Sequence, residues 1–228
     1  MSHPSFEVLL KTLDTHPLLD ASITKGNYMP LNLSISNSEL QEINVASAKD
    51  LGNFIQDQLK QKDAKVAYGG YLEKRGIYQR SVHFNQSNPE TERNIHIGLD
   101  IWVDAGCSVF APLDGIIHSF KNNTNYGDYG PTIILKHTIK GAIFYTLYGH
   151  LSLESLENCT VGQEIKQGES FAKIGTVEVN GDYPPHLHFQ IIKEIQDYEG
   201  DYPGVSNQLD LGFFKVNCPD PKLILQLD

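Results

Sequence analysis

Polar and apolar positions alternate strictly from His186 to Ile191. Leu187, Phe189 and Ile191 fall on one side, and His186, His188 and Gln190 on the other. That is the period of a β-strand with an apolar face for a core and an imidazole face for a groove. Pro184 and Pro185 ahead of it withhold two N–H donors and fix φ, which discourages a helix. The same alternation runs from Asn94 to Ile101: Ile95, Ile97, Leu99 and Ile101 share one face, His96, Gly98 and Asp100 the other. Val109–Ile117 reads as strand, turn, strand. Thr132–Ile139 and Ala142–Tyr148 read as a hairpin through Lys140-Gly141. With Ile139 opposite Ala142, His137 faces Phe144, while Phe144, Thr146, Tyr148 and His150 share a face. Nearer the start, Phe6, Leu9, Leu10 and Leu13 recur at helical spacing. So do Leu51, Ile55 and Leu59 behind Ser47, a helix of about four turns. Leu31, Leu33 and Ile35 alternate as a short strand.

These patterns divide the chain into a helical appendage over residues 1–65, a Gly-punctuated β domain over 66–195, and an irregular extension over 196–228. The amphipathic runs of the appendage need a surface to cover, so it is expected to dock on the β domain. The 228 residues carry a net charge of −10 with no Lys/Arg cluster, which gives no support for nucleic acid or an anionic membrane as partner. No apolar run approaches the ~20 residues of a spanning helix. Val8-Leu9-Leu10, interrupted by Lys11 and Asp14, does not resemble a secretory signal, so a cytoplasmic protein is expected. Cys107, Cys159 and Cys218 are odd in number and lack CxxC spacing, which reads as reduced thiols.

The candidate chemistry lies on the two alternating strands. His186 and His188 sit roughly 6–7 Å apart at Cα, so both rings can reach one small object such as a metal ion with its water. His96 and Asp100 would be about 13 Å apart on a straight strand, too far for one ion. Gly98 between them permits a sharp bend or a close backbone approach. A bend there brings imidazole and carboxylate together. His96, Asp100 and one histidine of the later pair then make an N/N/O set with a fourth position open, the composition of a catalytic zinc site. Trp102 lies on the same face and is either groove wall or core. Arg75, Arg80 and Arg93 are either clamps for a substrate carboxylate or surface and ion-paired arginines. The polar, aromatic segment Asn122–Pro131 is either a groove wall or a plain connection.

H-x-G-x-D at 96–100, Tyr148-Gly149-His150-Leu151 and H-L-H-F at 186–189 together resemble the lysostaphin/LytM-type zinc endopeptidase family, over about residues 71–193. The resemblance implies a mainly β fold, an antiparallel sheet or barrel, and one zinc ion per chain. It assigns His96, Asp100 and His188 as zinc ligands, and His150 and His186 as catalytic histidines around an activated water. It implies cleavage of short peptide cross-bridges in peptidoglycan, so that a peptide or muropeptide-like substrate is expected. The absent export signal sets the cytoplasm against that substrate. The reading from another class is a non-hydrolytic module whose metal groove binds a peptide or amino-acid conjugate for a partner enzyme. Gly69–Arg75, with Asp201-Tyr202-Pro203-Gly204 and Cys218-Pro219-Asp220-Pro221, resembles a cytosolic branch fused to kinase-like and aminotransferase domains, which would be the partner enzymes. Val161–Gly175 also resembles a biotinyl or lipoyl carrier hairpin, but has no Met-Lys-Met-like tip. His83 and His118 have no motif partner, and His3 and His16 lie in the appendage.

Overall fold

The computed structural model describes residues 5–81, 88 and 90–227; His3 and His83 lie outside them. Helix α1 (Phe6–Lys11) starts at Ser5, whose side chain accepts from the Val8 N–H, and it buries Leu9 and Leu10. Strand β1 (Tyr28–Pro30) comes next. The strand expected over Leu31–Ile35 therefore lies three residues earlier. Leu31 still donates its N–H to the Tyr68 carbonyl, but Ile35 turns outward and is 54% exposed. Helix α2 (Ala48–Gln61) is capped by Ser47, which accepts from the Asp50 N–H (3.2 Å), and buries Leu51, Ile55 and Leu59. That stripe packs against Met29, Leu31, Leu33, Ala67 and Trp102.

Seven strands follow: β2 (Val66–Gly69), β3 (Ile95–His96), β4 (Leu99–Trp102), β5 (Ser108–Phe110), β6 (Gly115–Asn123), β7 (Gly130–Ile139) and β8 (Ala142–Gly149). After helix α3 (Glu154–Glu157) come β9 (Glu164–Ile165), β10 (Ser170–Lys173), β11 (His186–Ile192) and β12 (Val205–Ser206). Helices α4 (Leu211–Asn217) and α5 (Lys222–Leu225) end the fold.

Eight strands form one sheet in the order β1-β2-β4-β11-β8-β7-β6-β9. It is antiparallel except for the parallel β1–β2 pair. The fold is mainly β, as expected, but the sheet does not close into a barrel. Its end strands β1 and β9, of three and two residues, are not paired with each other. The β7–β8 hairpin has the expected register, Ile139 opposite Ala142 and His137 opposite Phe144. Lys140 (φ 51°) and Gly141 (φ 82°) are both left-handed, as a two-residue type I′ turn requires.

β11 decides where the chemistry lies. It runs between β4 and β8 with all seven residues buried. Its apolar face, Leu187, Phe189 and Ile191, joins Leu99, Ile101, Phe144 and Tyr148 in the main core, which the Leu9, Leu10 and Leu13 side chains cover. Its other face carries the histidines, with His188 opposite Asp100 on β4 and opposite Gly149 on β8.

The segment after Lys193 is more regular than its sequence reads. Helix α4 leaves Phe213 and Val216 exposed, so no buried stripe announces it, and Pro221 sits at the N-cap of α5, where no intrahelical N–H is needed.

Candidate metal centre

The chain changes partners at Gly98. Up to His96 it pairs with β12, and from Leu99 it pairs with β2 and β11. That change, and not a straight strand, brings His96 and Asp100 to one point. A side chain at position 98 would put its Cβ 2.4 Å from His188 Cε1 and 3.1 Å from the Phe189 carbonyl, so glycine is needed for close approach as well.

His96, Asp100 and His188, all buried, offer ligand atoms that lie within 4.8 Å of one another. Asp100 Oδ1 is 3.2 Å from His96 Nε2 and 3.2 Å from His188 Nδ1. The two nitrogens are 2.9 Å apart. Burial alone would push the Asp100 carboxyl up. The combined pull of His96, Arg75 and His186 outweighs that and holds it well below the usual range.

Each imidazole is oriented from outside the cluster. His96 Nδ1 lies 3.0 Å from the Gly70 carbonyl, which can only accept, so Nδ1 carries the hydrogen and Nε2 faces inward as a lone pair. His188 Nε2 donates to Gln190 Oε1 (2.9 Å), leaving Nδ1 bare. The Gln190 amide is itself fixed, because its Nε2 donates to the Pro203 carbonyl (3.1 Å) and to Cys218 Sγ (3.3 Å). His150 Nδ1 donates to the Asn180 carbonyl (2.7 Å) and His186 Nδ1 to the Pro184 carbonyl (2.8 Å). Four inner nitrogens thus point inward without hydrogens, two of them at contact distance beside a carboxylate. A divalent cation satisfies such a set, and outward N–H bonds to fixed acceptors are how metal-ligating histidines are held. The donor set fits zinc.

His150 and His186 flank this cluster. Their ring centroids are 4.2 Å apart, and His186 Nε2 is 3.8 Å from Asp100 Oδ1. His150 lies one residue beyond β8 with φ 62°, a conformation a non-glycine residue keeps only where its surroundings impose it. Its N–H donates to the Tyr129 carbonyl and its carbonyl accepts from Gly175, each at 2.9 Å. Burial, with His186 and His188 nearby, keeps the His150 imidazole well below its ordinary range, and burial lowers His186 too.

Trp102 serves both roles left open for it. It is 4% exposed, stacks on His186 at 5.8 Å, and lines the cavity above the cluster. Arg75 and Arg80 are not surface groups, nor are they free to clamp a substrate carboxylate. Arg75 is buried against Glu73 and Asp100, and Arg80 lies 4.2 Å over Tyr183 and binds Asp182. Arg93 lines the cavity and donates from Nε to the Val205 carbonyl (2.9 Å). The Asn122–Pro131 segment is a groove wall through Gly127, Asp128 and Tyr129. His137 lies apart, bonded to the Asp114 carbonyl (2.8 Å) and Thr146 Oγ1 (2.7 Å). His118 pairs with Ser119 and His16 with the Pro17 carbonyl. The three cysteines are free.

The cavity measures about 210 Å3. Leu33, Leu51 and Ile77 wall one side, and Tyr198, Tyr202, Pro203 and Gly204 another. The sequence does not announce this second wall, because an irregular stretch about a hundred residues from H-x-G-x-D shows no periodicity that ties it to the site. The Tyr129 hydroxyl donates to the Tyr202 carbonyl (3.1 Å) and lies 3.4 Å from His188 Nε2, joining the two walls.

Residues 94–200 match peptidase family M23. This stretch belongs to that family. The three motifs described above fall within the matched residues, and the family is zinc-dependent. Among solved structures, the chain is similar to the catalytic domain of the antimicrobial peptidase lysostaphin from Staphylococcus simulans. Identity is 25%, covering 54% of this chain and 80% of that one, with a TM-score of 0.38. A zinc-containing peptidase from Vibrio cholerae is 26% identical, covering 47% of this chain and 30% of that one, with a TM-score of 0.35. The catalytic domain of the prophage-encoded M23 protein EnpA from Enterococcus faecalis is 18% identical, covering 52% and 85%, with a TM-score of 0.37. No curated protein matches the chain in sequence. Nothing in these comparisons supports the branch fused to kinase-like and aminotransferase domains. Among the described residues no helix is long and apolar enough to cross a membrane.

Proposed function

We propose that the protein is a zinc metallopeptidase that hydrolyses an amide bond in a short peptide or muropeptide-like substrate. His96, Asp100 and His188 would hold one zinc ion. The observation that carries this reading is the inward convergence of bare imidazole nitrogens on Asp100, each imidazole locked from behind by an acceptor. When bound, zinc supplies a Lewis acid that polarises a peptide carbonyl and acidifies water.

The flanking histidines handle the proton. Both keep their hydrogen on Nδ1, so each presents Nε2 to the cavity as a base. Neither neutral ring has an N–H to offer a carbonyl oxygen. His186 Nε2, nearer Asp100, takes the proton from the attacking water. Burial disfavours the resulting imidazolium, so the proton passes on to the leaving amine, with His150 4.2 Å away as second carrier. Trp102, stacked on His186, keeps that ring from turning away.

The cavity of about 210 Å3 has room for a short peptide segment. Its walls include both Arg93 and Asp201. The non-hydrolytic alternative is not favoured, because it leaves two buried bases beside the cluster without a use.

The test is incubation of zinc-loaded protein with pooled dipeptides to pentapeptides and with muropeptides, read by mass spectrometry beside a zinc-loaded His186→Ala control. Cleavage of short peptides by the wild type alone is the expected result. Product formation no greater than in the control overturns the hydrolytic reading. Turnover confined to long glycan-linked material overturns the small-substrate part.

A further inference from the structure

Arg75 is 5% exposed, and its guanidinium is committed on two sides. Nη1 donates to Asp100 Oδ2 (2.5 Å) and Nε donates to Glu73 Oε2 (2.6 Å). Glu73 is anchored in turn, because its Oε1 accepts from the Leu33 N–H (2.9 Å). The guanidinium also lies 5.5 Å from the centre of the Trp102 ring, the indole stacked on His186. The two oxygens of Asp100 are thereby divided. Oδ1 faces His96 and His188, while Oδ2 is turned to Arg75.

We propose that Arg75 is a positioning residue of the metal centre that reserves Oδ2 and leaves Asp100 as a one-oxygen ligand beside a fixed positive charge. The role rests on the zinc reading above. A carboxylate with both oxygens free can bind an ion through either one or two of them. Here the second oxygen is taken by a group that cannot deprotonate and that Glu73 and Trp102 hold in place. The guanidinium also offsets the charge of Asp100, so the centre holds a cation less tightly and withdraws electrons from its ligands more strongly. Glu73 tempers this by balancing Arg75. Leu33, which belongs to the cavity wall, thus connects through Glu73 and Arg75 to the ligand itself.

Cobalt(II) serves as the probe, because its visible absorption weakens as the coordination number rises and its affinity can be read by chelator competition. The wild type, Arg75→Met, Arg75→Lys and Glu73→Gln are compared. Arg75→Met is expected to absorb more weakly per bound cobalt and to bind about tenfold more tightly, since the second oxygen and the full carboxylate charge become available. Arg75→Lys should restore the wild-type spectrum. Glu73→Gln, which leaves Arg75 uncompensated, should bind severalfold more loosely with an unchanged spectrum. A purely structural Arg75 would give weaker binding in Arg75→Met and an unaltered spectrum, and that result overturns the role. If Arg75→Met does not fold, Glu73→Gln decides: looser binding with the wild-type spectrum upholds the role, and equal or tighter binding overturns it. A wild type that takes up no cobalt overturns the zinc reading itself, together with this role.

Discussion

Gly98→Ala adds one methyl group at the closest approach of the H-x-G-x-D segment to β11. Its Cβ would stand 2.4 Å from His188 Cε1, 2.5 Å from His188 Nε2 and 3.1 Å from the Phe189 carbonyl oxygen. Gly98 is not among the glycines with positive φ, so alanine meets no backbone penalty there and the cost is steric. Ordinary contact begins at 3.4 Å, so the ring must retreat by about 1 Å. It cannot do so freely, because Nε2 is bonded to Gln190 and the ring lies 5.0 Å from the Tyr129 ring. Overpacking of this kind costs about 1–3 kcal/mol, and the buried hydrogen bond lost with it about 1–3 kcal/mol more. Unfolding of the metal-free protein in urea should therefore show a loss of about 2–6 kcal/mol. Zinc affinity by chelator competition should fall by at least about 10–100-fold, since the displaced ring is a ligand. A double-mutant cycle isolates the cause. In a His188→Ala background the obstructing ring is gone, and Gly98→Ala should cost under about 1 kcal/mol. An equal cost in both backgrounds would show that position 98 is a backbone hinge alone, and wild-type zinc affinity in Gly98→Ala would refute the displacement of His188.

His188→Ala should lose its zinc and its activity together, whereas His186→Ala and His150→Ala should keep zinc and lose about 10²–10⁴-fold in turnover. Metal content and rate measured on the same preparations check this, and zinc lost from His186→Ala but retained in His188→Ala would reverse the roles. His137 is fully buried, and burial lowers its imidazole to about 4, while the unfolded chain takes up that proton near 6.5. The folded state thus binds fewer protons between these values, so stability falls as pH drops from about 6.5 to about 4, by up to about 3 kcal/mol. His137→Gln should flatten that part of the stability profile in urea titrations, and an unchanged slope would count against it. Tyr129→Phe strips the Tyr202 carbonyl of its buried donor and should cost about 1–3 kcal/mol without altering zinc content. Loss of zinc in that variant would mean that Tyr129 also positions His188.

Local periodicity was enough to place much of this architecture. The alternation in β11 and β4, the Ser47 cap with its Leu51–Ile55–Leu59 stripe, and the register across Lys140-Gly141 all follow from backbone geometry and side-chain direction over a few residues. The residues later found clustered were legible for the same reason, since His96, Asp100, His186 and His188 stand on strands whose faces can be counted from the sequence. Gly98 reads as a bend in the sequence, and in the fold it is also a gap for the His188 ring. That second role depends on β11 lying against it, which no local pattern states. The strand expected at Leu31–Ile35 sits at Tyr28–Pro30, because pairing with β2 set its position in place of its own alternation.

What only the tertiary structure decided is long-range. β11 is inserted between β4 and β8, so three motifs far apart in the chain meet at His188. Gln190 and the carbonyls of Gly70, Asn180 and Pro184 set which nitrogen of each imidazole faces inward. Arg75 occupies the second oxygen of Asp100, and Tyr198–Gly204 closes one side of the cavity. None of these contacts leaves a trace in spacing, because a hydrogen bond between residues tens of positions apart needs only the right atom at the right place. The summed burial of the whole sheet determines that place, and a short stretch of sequence carries only its own share of it.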